Sequence, residues 1–319
     1  MTTVGLFGYG YWGAHLARNL IAMPDVRLAA VVDPDAERRR DAEVQVPGVT
    51  IDADPDAVLG DPGVDAVVVA TPLASHYPLA RAALAAGKHV MVEKPFTATS
   101  KEATHLVDVA ERHGLTLMVN HTAVYSDAMV TIRRLADGGR LGELRYYDSV
   151  RASEGRFRPG EDVLWDLAVH DLGCLDAMRP GGPVALSATG AAHPAGARHS
   201  IAHLTLFYAD DMIAHLQASW LSPIKLRRIL VGGSRRQVVF DDDVTKPSLT
   251  VYETNTEPWS PHLDPGEALL IALGHFVGCV SSGAAPLSDG RSGQRVVGLL
   301  EHASSSLAAR GRPVDLETR

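Results

Sequence analysis

A glycine-rich segment near the amino terminus has the spacing of a phosphate-binding turn. Gly8, Gly10 and Gly13 fit the pattern G-x-G-x-x-G, which follows an apolar run and opens a segment with helical periodicity. Gly8 permits a tight turn, Gly10 lets the backbone approach a pyrophosphate, and Gly13 lets the helix pack on a sheet. A helix N-terminus also favours phosphate electrostatically. We therefore predict a dinucleotide site made by Gly8, Tyr9, Gly10, Tyr11, Trp12 and Gly13.

An acidic residue after the motif bears on the choice of dinucleotide. Asp33 ends the next strand-like run, 20 positions after Gly13 (33 − 13). A carboxylate there accepts hydrogen bonds from the adenosine ribose and repels a 2′-phosphate, which favours NAD. Arg38, Arg39 and Arg40 keep NADP open, because a nearby arginine can hold that phosphate. The same arginines also fit a solvated helix face.

Three further side chains have types that suit the proton movement of a hydride transfer. Histidine titrates near neutrality, so His170 can accept and return a proton. Asp166 stands four residues earlier on a predicted helix and shares its face, where a carboxylate can orient the imidazole or hold a hydroxyl. Lys94 can donate to the reacting oxygen. Taken alone, a single histidine on a helix is usually structural and a lone lysine is more often a surface residue, so these residue types by themselves favour no catalytic role. Two ligands do not make a zinc site, so we expect no metal.

The segments that must position these residues alternate between strand and helix in the first third of the chain. Strand-like runs lie at 4–7, 26–33, 65–71, 89–93 and 115–120, and helix-like segments at 11–23, 76–86 and 99–113. Repeated units of this length predict an α/β Rossmann domain with a doubly wound parallel sheet, over residues 1–122.

The alternation stops in the second part of the chain. After a predicted helix at 127–137 and a strand at 144–152, strand-like runs follow one another at 184–189, 202–208, 212–219, 228–231, 237–240 and 249–253, with closing helices at 268–281 and 292–309. Asp210-Asp211 between two runs is a hairpin signal. Successive strands predict a carboxyl-terminal α+β domain with a largely antiparallel open sheet, over residues 123–319.

Three further segments make a family recognisable, and the second and third of them, in this order, are the specific pair. The three are Ala70-Thr71-Pro72-Leu73-Ala74-Ser75-His76, Glu93-Lys94-Pro95 and Asp166-Leu167-Ala168-Val169-His170. With the glycine turn they resemble the glucose–fructose oxidoreductase / inositol dehydrogenase / rhizopine-catabolism (Gfo/Idh/MocA) family, and the resemblance covers essentially the whole chain. Ala168 stands where that family usually has glycine. The resemblance also implies a last helix that packs back on the first domain and a homo-oligomer, dimer or tetramer.

The resemblance implies roles for individual residues. Lys94 would lie beside the nicotinamide and the reacting hydroxyl, often after a cis peptide that here would precede Pro95. Asp166 and His170 would face the same cleft. The cofactor would be lined by Thr71, Pro72, Leu73, His76, Glu93, Lys94 and Asn120. The substrate would contact Lys94, Tyr125, Arg151, Asp166 and His170, with Glu154, Arg156 and Asp171 as further polar candidates. Arg151 and Arg156 suit a phosphate or carboxylate, or equally surface ion pairs.

Composition excludes several classes of protein. The chain has 319 residues, of which 46% are hydrophobic and 21% charged, as in an ordinary globular protein. A formal net charge of −8 argues against nucleic acid as the partner. No run approaches the roughly 20 apolar residues that span a bilayer, and the amino terminus lacks the features of a signal peptide, so we expect a cytoplasmic protein. Cys174 and Cys279 are expected to be reduced, buried thiols.

These observations together predict an NAD(P)-dependent dehydrogenase or ketoreductase that acts on a CH–OH group of a sugar, sugar nucleotide or cyclitol. His170 would serve as the acid/base and Lys94 would assist. Two alternatives remain: a non-redox enzyme that uses tightly bound NAD as a transient oxidant, and a non-catalytic dinucleotide sensor. The proton-transfer set argues against the sensor, which has no need of it.

Overall fold

Short apolar runs in the first part of the chain form a parallel sheet, as predicted. The computed structural model describes residues 1–154, 162–193, 198–242, 246–264 and 266–316, with residue 154 described by its backbone. The chain divides into two compact units, Met1–Tyr125 with Gly266–Val297, and Ser126–Pro265 with Gly298–Arg319.

The described strands of the first unit pair in the order β3-β2-β1-β4-β5-β6, and each pairing is parallel. The strands are β1 Thr2–Phe7, β2 Val26–Val32, β3 Thr50–Asp52, β4 Ala66–Val69, β5 His89–Glu93 and β6 Leu117–Asn120. Every residue of β1 and β4 is buried, as expected for strands covered on both faces. This strand order is that of dinucleotide-binding Rossmann sheets.

Helices connect these strands, and their ends follow local sequence signals. They are α1 Tyr11–Ala22, α2 Ala36–Gln45, α3 Asp56–Gly60, α4 Leu73–Ala85 and α5 Ser100–His113. Thr99 and Glu102 form a capping box at the start of α5, and Gly114 ends the helix with a φ of 63°, the left-handed conformation that glycine commonly adopts at a helix C-terminus. The short elements β3 and α3 were not predicted, because three to five residues are too few to show a periodicity.

The second unit contains a mixed, mostly antiparallel sheet, also as predicted. Its described strands pair in the order β13-β12-β11-β7-β10-β9-β8-β14, and β7 and β10 are parallel to each other. The strands are β7 Leu144–Glu154, β8 Ala185–Ala191, β9 Ile201–Phe207, β10 Ile213–Ser219, β11 Leu221–Gly233, β12 Arg236–Asp241, β13 Ser248–Glu253 and β14 Val314–Asp315. The hairpin signal is confirmed: β9 and β10 are antiparallel neighbours, and Asp211 between them has a φ of 60°.

Three of the remaining helical segments, over residues 127–137, 268–282 and 290–308, confirm predicted helices to within two residues at each end. The remaining segments are a 3₁₀ turn Thr122–Tyr125, α6 Asp127–Asp137, a π-helical turn Leu164–Ala168 that leads into α7 Val169–Met178, α8 Ala268–Ser282 and α9 Gly290–Ala308. The π-helical turn was not predicted. None of the helices in the described ranges is long and apolar enough to cross a membrane.

Candidate active site

The three motif glycines have different reasons to lack a side chain. Gly8 has a φ of 95°, and a Cβ there would lie 2.6 Å from the carbonyl oxygen of Ala70. A Cβ on Gly13 would lie 2.1 Å from the carbonyl oxygen of Gly8, so the start of the helix packs directly on the turn. A Cβ on Gly10 would meet nothing nearer than Nη1 of Arg38, at 3.8 Å. Gly10 therefore leaves room for a ligand to approach the backbone.

The amino terminus of α1 suits an anion. Gly10 precedes the helix, and no side chain in the described part of the chain caps it. Tyr11 and Trp12 in the first turn are 69% and 42% exposed. Because the first N–H groups of a helix lack partners within it and the helix dipole favours negative charge, these residues fit the pyrophosphate of a dinucleotide.

Asp33 holds the glycine turn in place. Its side chain is buried, and its Oδ2 accepts a hydrogen bond from the backbone N–H of Tyr9 (2.7 Å), while Oδ1 accepts from Asp35 N–H (2.9 Å). Nη1 of Arg38 lies 3.7 Å from Oδ2 of Asp33, whereas Arg39 donates to the carbonyl oxygens of Asp33 and Pro34. Of these two arginines, Arg38 is thus the one beside both the turn and the acidic residue.

The predicted cofactor residues meet at one edge of the sheet. Thr71, Pro72 and Leu73 follow β4, Glu93 ends β5 and Asn120 ends β6. The carboxyl ends of parallel strands share an edge, and dinucleotides bind there, where the strand order reverses between β1 and β4.

A buried network fixes the backbone at Lys94. Oε1 of Glu93 accepts from Nδ2 of Asn120 (2.5 Å), and Oε2 accepts from the backbone N–H of Lys94 (3.3 Å). Oδ1 of Asn120 in turn accepts from the Thr122 hydroxyl. Burial raises the pKa of Glu93, and the Asn120 hydrogen bond opposes that shift. Both oxygens of Glu93 thus accept hydrogen bonds, and the carboxylate links the ends of β5 and β6.

His76 ties the turn after β4 to the segment after Lys94. Its Nδ1 lies 2.8 Å from the Pro95 carbonyl oxygen and its Nε2 lies 2.8 Å from that of Thr71. Burial lowers the pKa of His76 despite these carbonyl contacts. The Lys94–Pro95 peptide is cis, which confirms the expectation from the family resemblance.

His121 was not singled out from the sequence. It is 1% exposed, and neither of its ring nitrogens has a hydrogen-bond partner among the described residues. Burial, together with the positive charge of Lys94, lowers the pKa of His121 to about 4. A single histidine after a strand carries no sequence signal of its own. Its position directly after Asn120, a predicted cofactor residue, was the one feature of the sequence that could have pointed to it.

In the second unit, the predicted acid/base residues lie where the π-helical turn passes into α7. Asp166 lies in the π-helical turn and His170 in the first turn of α7, and both are half-buried. Oδ2 of Asp166 accepts a hydrogen bond from Nε1 of Trp220, at 3.1 Å. π-Helical turns are rare in proteins, and those that occur often lie at functional sites.

A buried ion pair fastens α7 to β7. Nε and Nη2 of Arg151 donate to Oδ2 and Oδ1 of Asp171, at 2.9 and 3.0 Å, and both side chains are at least nine-tenths buried. Burial alone would lower the pKa of Arg151, but the adjacent Asp171 carboxylate raises it. Burial and the Asp171 charge raise the pKa of the neighbouring Cys174 thiol to about 12. Asp171 directly follows His170, so this pair fixes the helix that carries the histidine.

Two residues expected to contact substrate thus have partners inside the protein. Arg151 pairs with Asp171, and Tyr125 is 3% exposed with its hydroxyl 2.8 Å from that of Ser288. Arg156 lies outside the described residues, and the side chain of Glu154 does too. Lys94 belongs to the first unit, and Asp166 and His170 belong to the second.

Comparison with known proteins agrees with both halves of this description. Residues 2–121 match the family model described as "Oxidoreductase family, NAD-binding Rossmann fold", and residues 129–239 match the "GFO/IDH/MocA C-terminal domain". Among curated proteins, the chain is 34% identical to the uncharacterized oxidoreductase YdgJ of Escherichia coli (strain K12), over 74% of this chain and 70% of that protein.

Other relatives have named substrates. The chain is 29% identical to UDP-N-acetylglucosamine 3-dehydrogenase of Acidithiobacillus ferrooxidans, over 92% of this chain and 93% of that protein. It is also 29% identical to scyllo-inositol 2-dehydrogenase (NADP(+)) IolW of Bacillus subtilis (strain 168), over 51% of this chain and 44% of that protein. A solved structure of the Acidithiobacillus enzyme superposes with a TM-score of 0.88 at 26% identity, over 96% and 98% of the two chains. The chain therefore belongs to the Gfo/Idh/MocA oxidoreductase family, with an NAD-binding Rossmann domain at its amino terminus.

Proposed function

We propose that this oxidoreductase transfers a hydride between NAD(P) and a carbinol carbon of a sugar, sugar nucleotide or cyclitol. The observation that carries the proposal is the placement of Lys94. It stands at the carboxyl end of β5, on the sheet edge that binds a dinucleotide, with its backbone held by the buried Glu93 carboxylate. A cation at that position can bond the oxygen of a reacting alcohol and stabilise the negative charge that develops on it.

The chain's own residues supply the proton chemistry. The bound nicotinamide would accept the hydride. His170 removes the hydroxyl proton during oxidation and returns it during reduction, because a histidine exchanges a proton near neutral pH. Asp166, held by Trp220, holds a substrate hydroxyl or orients the imidazole.

The substrate class rests on the relatives. One relative, which this chain matches over more than nine-tenths of both lengths, is named for a UDP-sugar, and this supports a sugar nucleotide. The scyllo-inositol dehydrogenase matches over about half of each chain, which supports a cyclitol less directly.

Variants of the two proposed catalytic residues test this function. Purified protein is offered UDP-sugars, aldoses and inositols with NAD or NADP, and reduced cofactor is measured by absorbance. His170→Ala and Lys94→Ala should each lower turnover by about 100-fold or more, while NADH binding, measured by fluorescence, persists. His203→Ala is the matched control for His170→Ala, because His203 is exposed on β9 of the unit that contains His170. Equal turnover in all the proteins would contradict the assignment, and substrate conversion without net reduced cofactor would favour the transient-oxidant alternative.

A further inference from the structure

His121 is a buried polar side chain that the proposed reaction does not use. Its backbone is fully engaged at the end of β6, where its N–H donates to Val119 and its carbonyl oxygen accepts from Val124. The imidazole is 1% exposed, and both ring nitrogens lack a partner within the described ranges. Buried side-chain nitrogens nearly always have a hydrogen-bond partner, so each exception needs an explanation.

The surroundings of His121 keep its ring neutral. Burial disfavours the imidazolium, and the positive charge of Lys94 disfavours it further. A neutral imidazole has one N–H donor and one nitrogen acceptor. It can therefore satisfy a ligand that offers an acceptor and a donor together, such as a carboxamide or a sugar hydroxyl.

The topology places His121 in one half of the dinucleotide site. A Rossmann sheet consists of two mononucleotide-binding halves that meet where the strand order reverses. Here β1, β2 and β3 form one half, which carries the glycine turn and Asp33, while β4, β5 and β6 form the other. His121 directly follows β6, next to Asn120, which donates a hydrogen bond to Glu93. It thus belongs to the half that receives the nicotinamide nucleotide.

We propose that His121 is a cofactor-positioning residue whose neutral imidazole hydrogen-bonds the nicotinamide mononucleotide half of the bound dinucleotide. The inference rests on the dinucleotide site of the proposed function, but not on the identity of the substrate. The unsatisfied nitrogens of the protein without cofactor are then satisfied when the cofactor binds, and the nicotinamide ring is held next to Lys94.

Three ligands of increasing length test this contact without any substrate. Dissociation constants for ADP, ADP-ribose and NADH are measured by calorimetry for the wild-type protein, His121→Phe, His121→Leu and His121→Gln, with melting temperatures in parallel. His121→Phe and His121→Leu should weaken NADH by about tenfold, which corresponds to about 1.4 kcal/mol, and leave ADP unchanged. Weakening of NADH alone places the contact on the nicotinamide, and weakening of ADP-ribose as well places it on the attached ribose. His121→Gln, which keeps a donor and an acceptor, should recover part of the affinity.

The melting temperature of the ligand-free protein separates a ligand contact from a structural role, because the two predict changes of opposite sign. Removing an unsatisfied buried polar group should raise the melting temperature of the Phe or Leu variant, whereas loss of a structural histidine lowers it. His89→Phe is the matched control: His89 begins β5, and its Nδ1 accepts from Thr116 N–H. This control should melt at a lower temperature and bind NADH normally. The inference is overturned if the ratio of NADH to ADP affinity is unchanged in both apolar variants. A wild-type protein that binds ADP and NADH with equal affinity would instead count against the proposed function.

Discussion

Replacing Asp171 with asparagine leaves the Arg151 guanidinium buried without its carboxylate. The side chains are 10% and 2% exposed, and two hydrogen bonds join them. Breaking a buried pair by removing one partner costs about 3–5 kcal/mol, because the remaining charge stays desolvated. We expect Asp171→Asn to cost about 3 kcal/mol, at the lower end of this range, since the amide oxygen retains one acceptor.

The assay is urea denaturation, with unfolding monitored by tryptophan fluorescence. Trp165 and Trp220 lie in the same unit as the pair and report on its unfolding. Asp242→Asn is the control, because Asp242 pairs with Arg227 in a bridge whose side chains are partly exposed and that is expected to contribute less than about 1 kcal/mol. NADH affinity should stay unchanged in both variants, since the glycine turn belongs to the other unit.

A double variant separates the buried charge from the lost contact. Arg151→Met with Asp171→Leu removes both charges, so it should be more stable than Asp171→Asn alone. A buried, uncompensated charge at Arg151 is excluded if Asp171→Asn costs no more than Asp242→Asn, or if the double variant is less stable than Asp171→Asn.

Three further predictions concern the first unit. Burial and Lys94 lower the pKa of His121 to about 4, so the unfolded chain, with an ordinary value near 6.5, protonates this histidine at a higher pH than the folded chain does. His121 should therefore make the free energy of unfolding fall by up to about 3 kcal/mol as the pH falls from 6.5 to 4, and in urea titrations His121→Phe should lose this part of the pH dependence while the part due to the buried His76 stays. Gly13→Ala should abolish NADH binding measured by fluorescence, because the new Cβ would meet the Gly8 carbonyl oxygen at 2.1 Å, whereas Gly60→Ala, with nothing within 4 Å, should bind normally. NADH should bind more tightly than NADPH because of Asp33, and Arg38→Ala should weaken NADPH more than NADH; equal losses for the two cofactors would count against Arg38 as the phosphate contact.

The elements that could be predicted are those whose signal is local. The Val-rich run of β4 and the Thr99 and Gly114 caps of α5 each lie within a few residues, so the Rossmann unit follows from the sequence. By contrast, β11 was predicted only at 228–231 but extends from Leu221 to Gly233. Its first half is mostly exposed and its register with β7 shifts between Leu221 and Leu226, which removes the alternation that marks a strand.

The candidate site divides in the same way. The glycine turn and the Glu93-Lys94-Pro95 segment are contiguous motifs and were predicted residue by residue. The pairing of Arg151 with Asp171 joins a strand to a helix 20 positions away, and the bond between Tyr125 and Ser288 spans 163 positions. Such partners are set by tertiary packing. The sequence alone therefore could not decide whether Arg151 contacts a ligand or forms an ion pair. The unsatisfied ring of His121 is likewise a property of its surroundings.

The most direct test of the central claim measures hydride transfer and cofactor binding on the same preparations. A substrate deuterated at the oxidised carbinol carbon is incubated with NAD and the wild-type, His170→Ala or Lys94→Ala protein, and deuterium in the reduced nicotinamide is measured by mass spectrometry. We expect deuterium in the cofactor and an equimolar ketone product with the wild-type protein, and at least a hundredfold less deuterium with either variant at about the same NADH affinity. Deuterium transfer at the wild-type rate in both variants, or conversion of substrate with no deuterium in the cofactor, would contradict the claim.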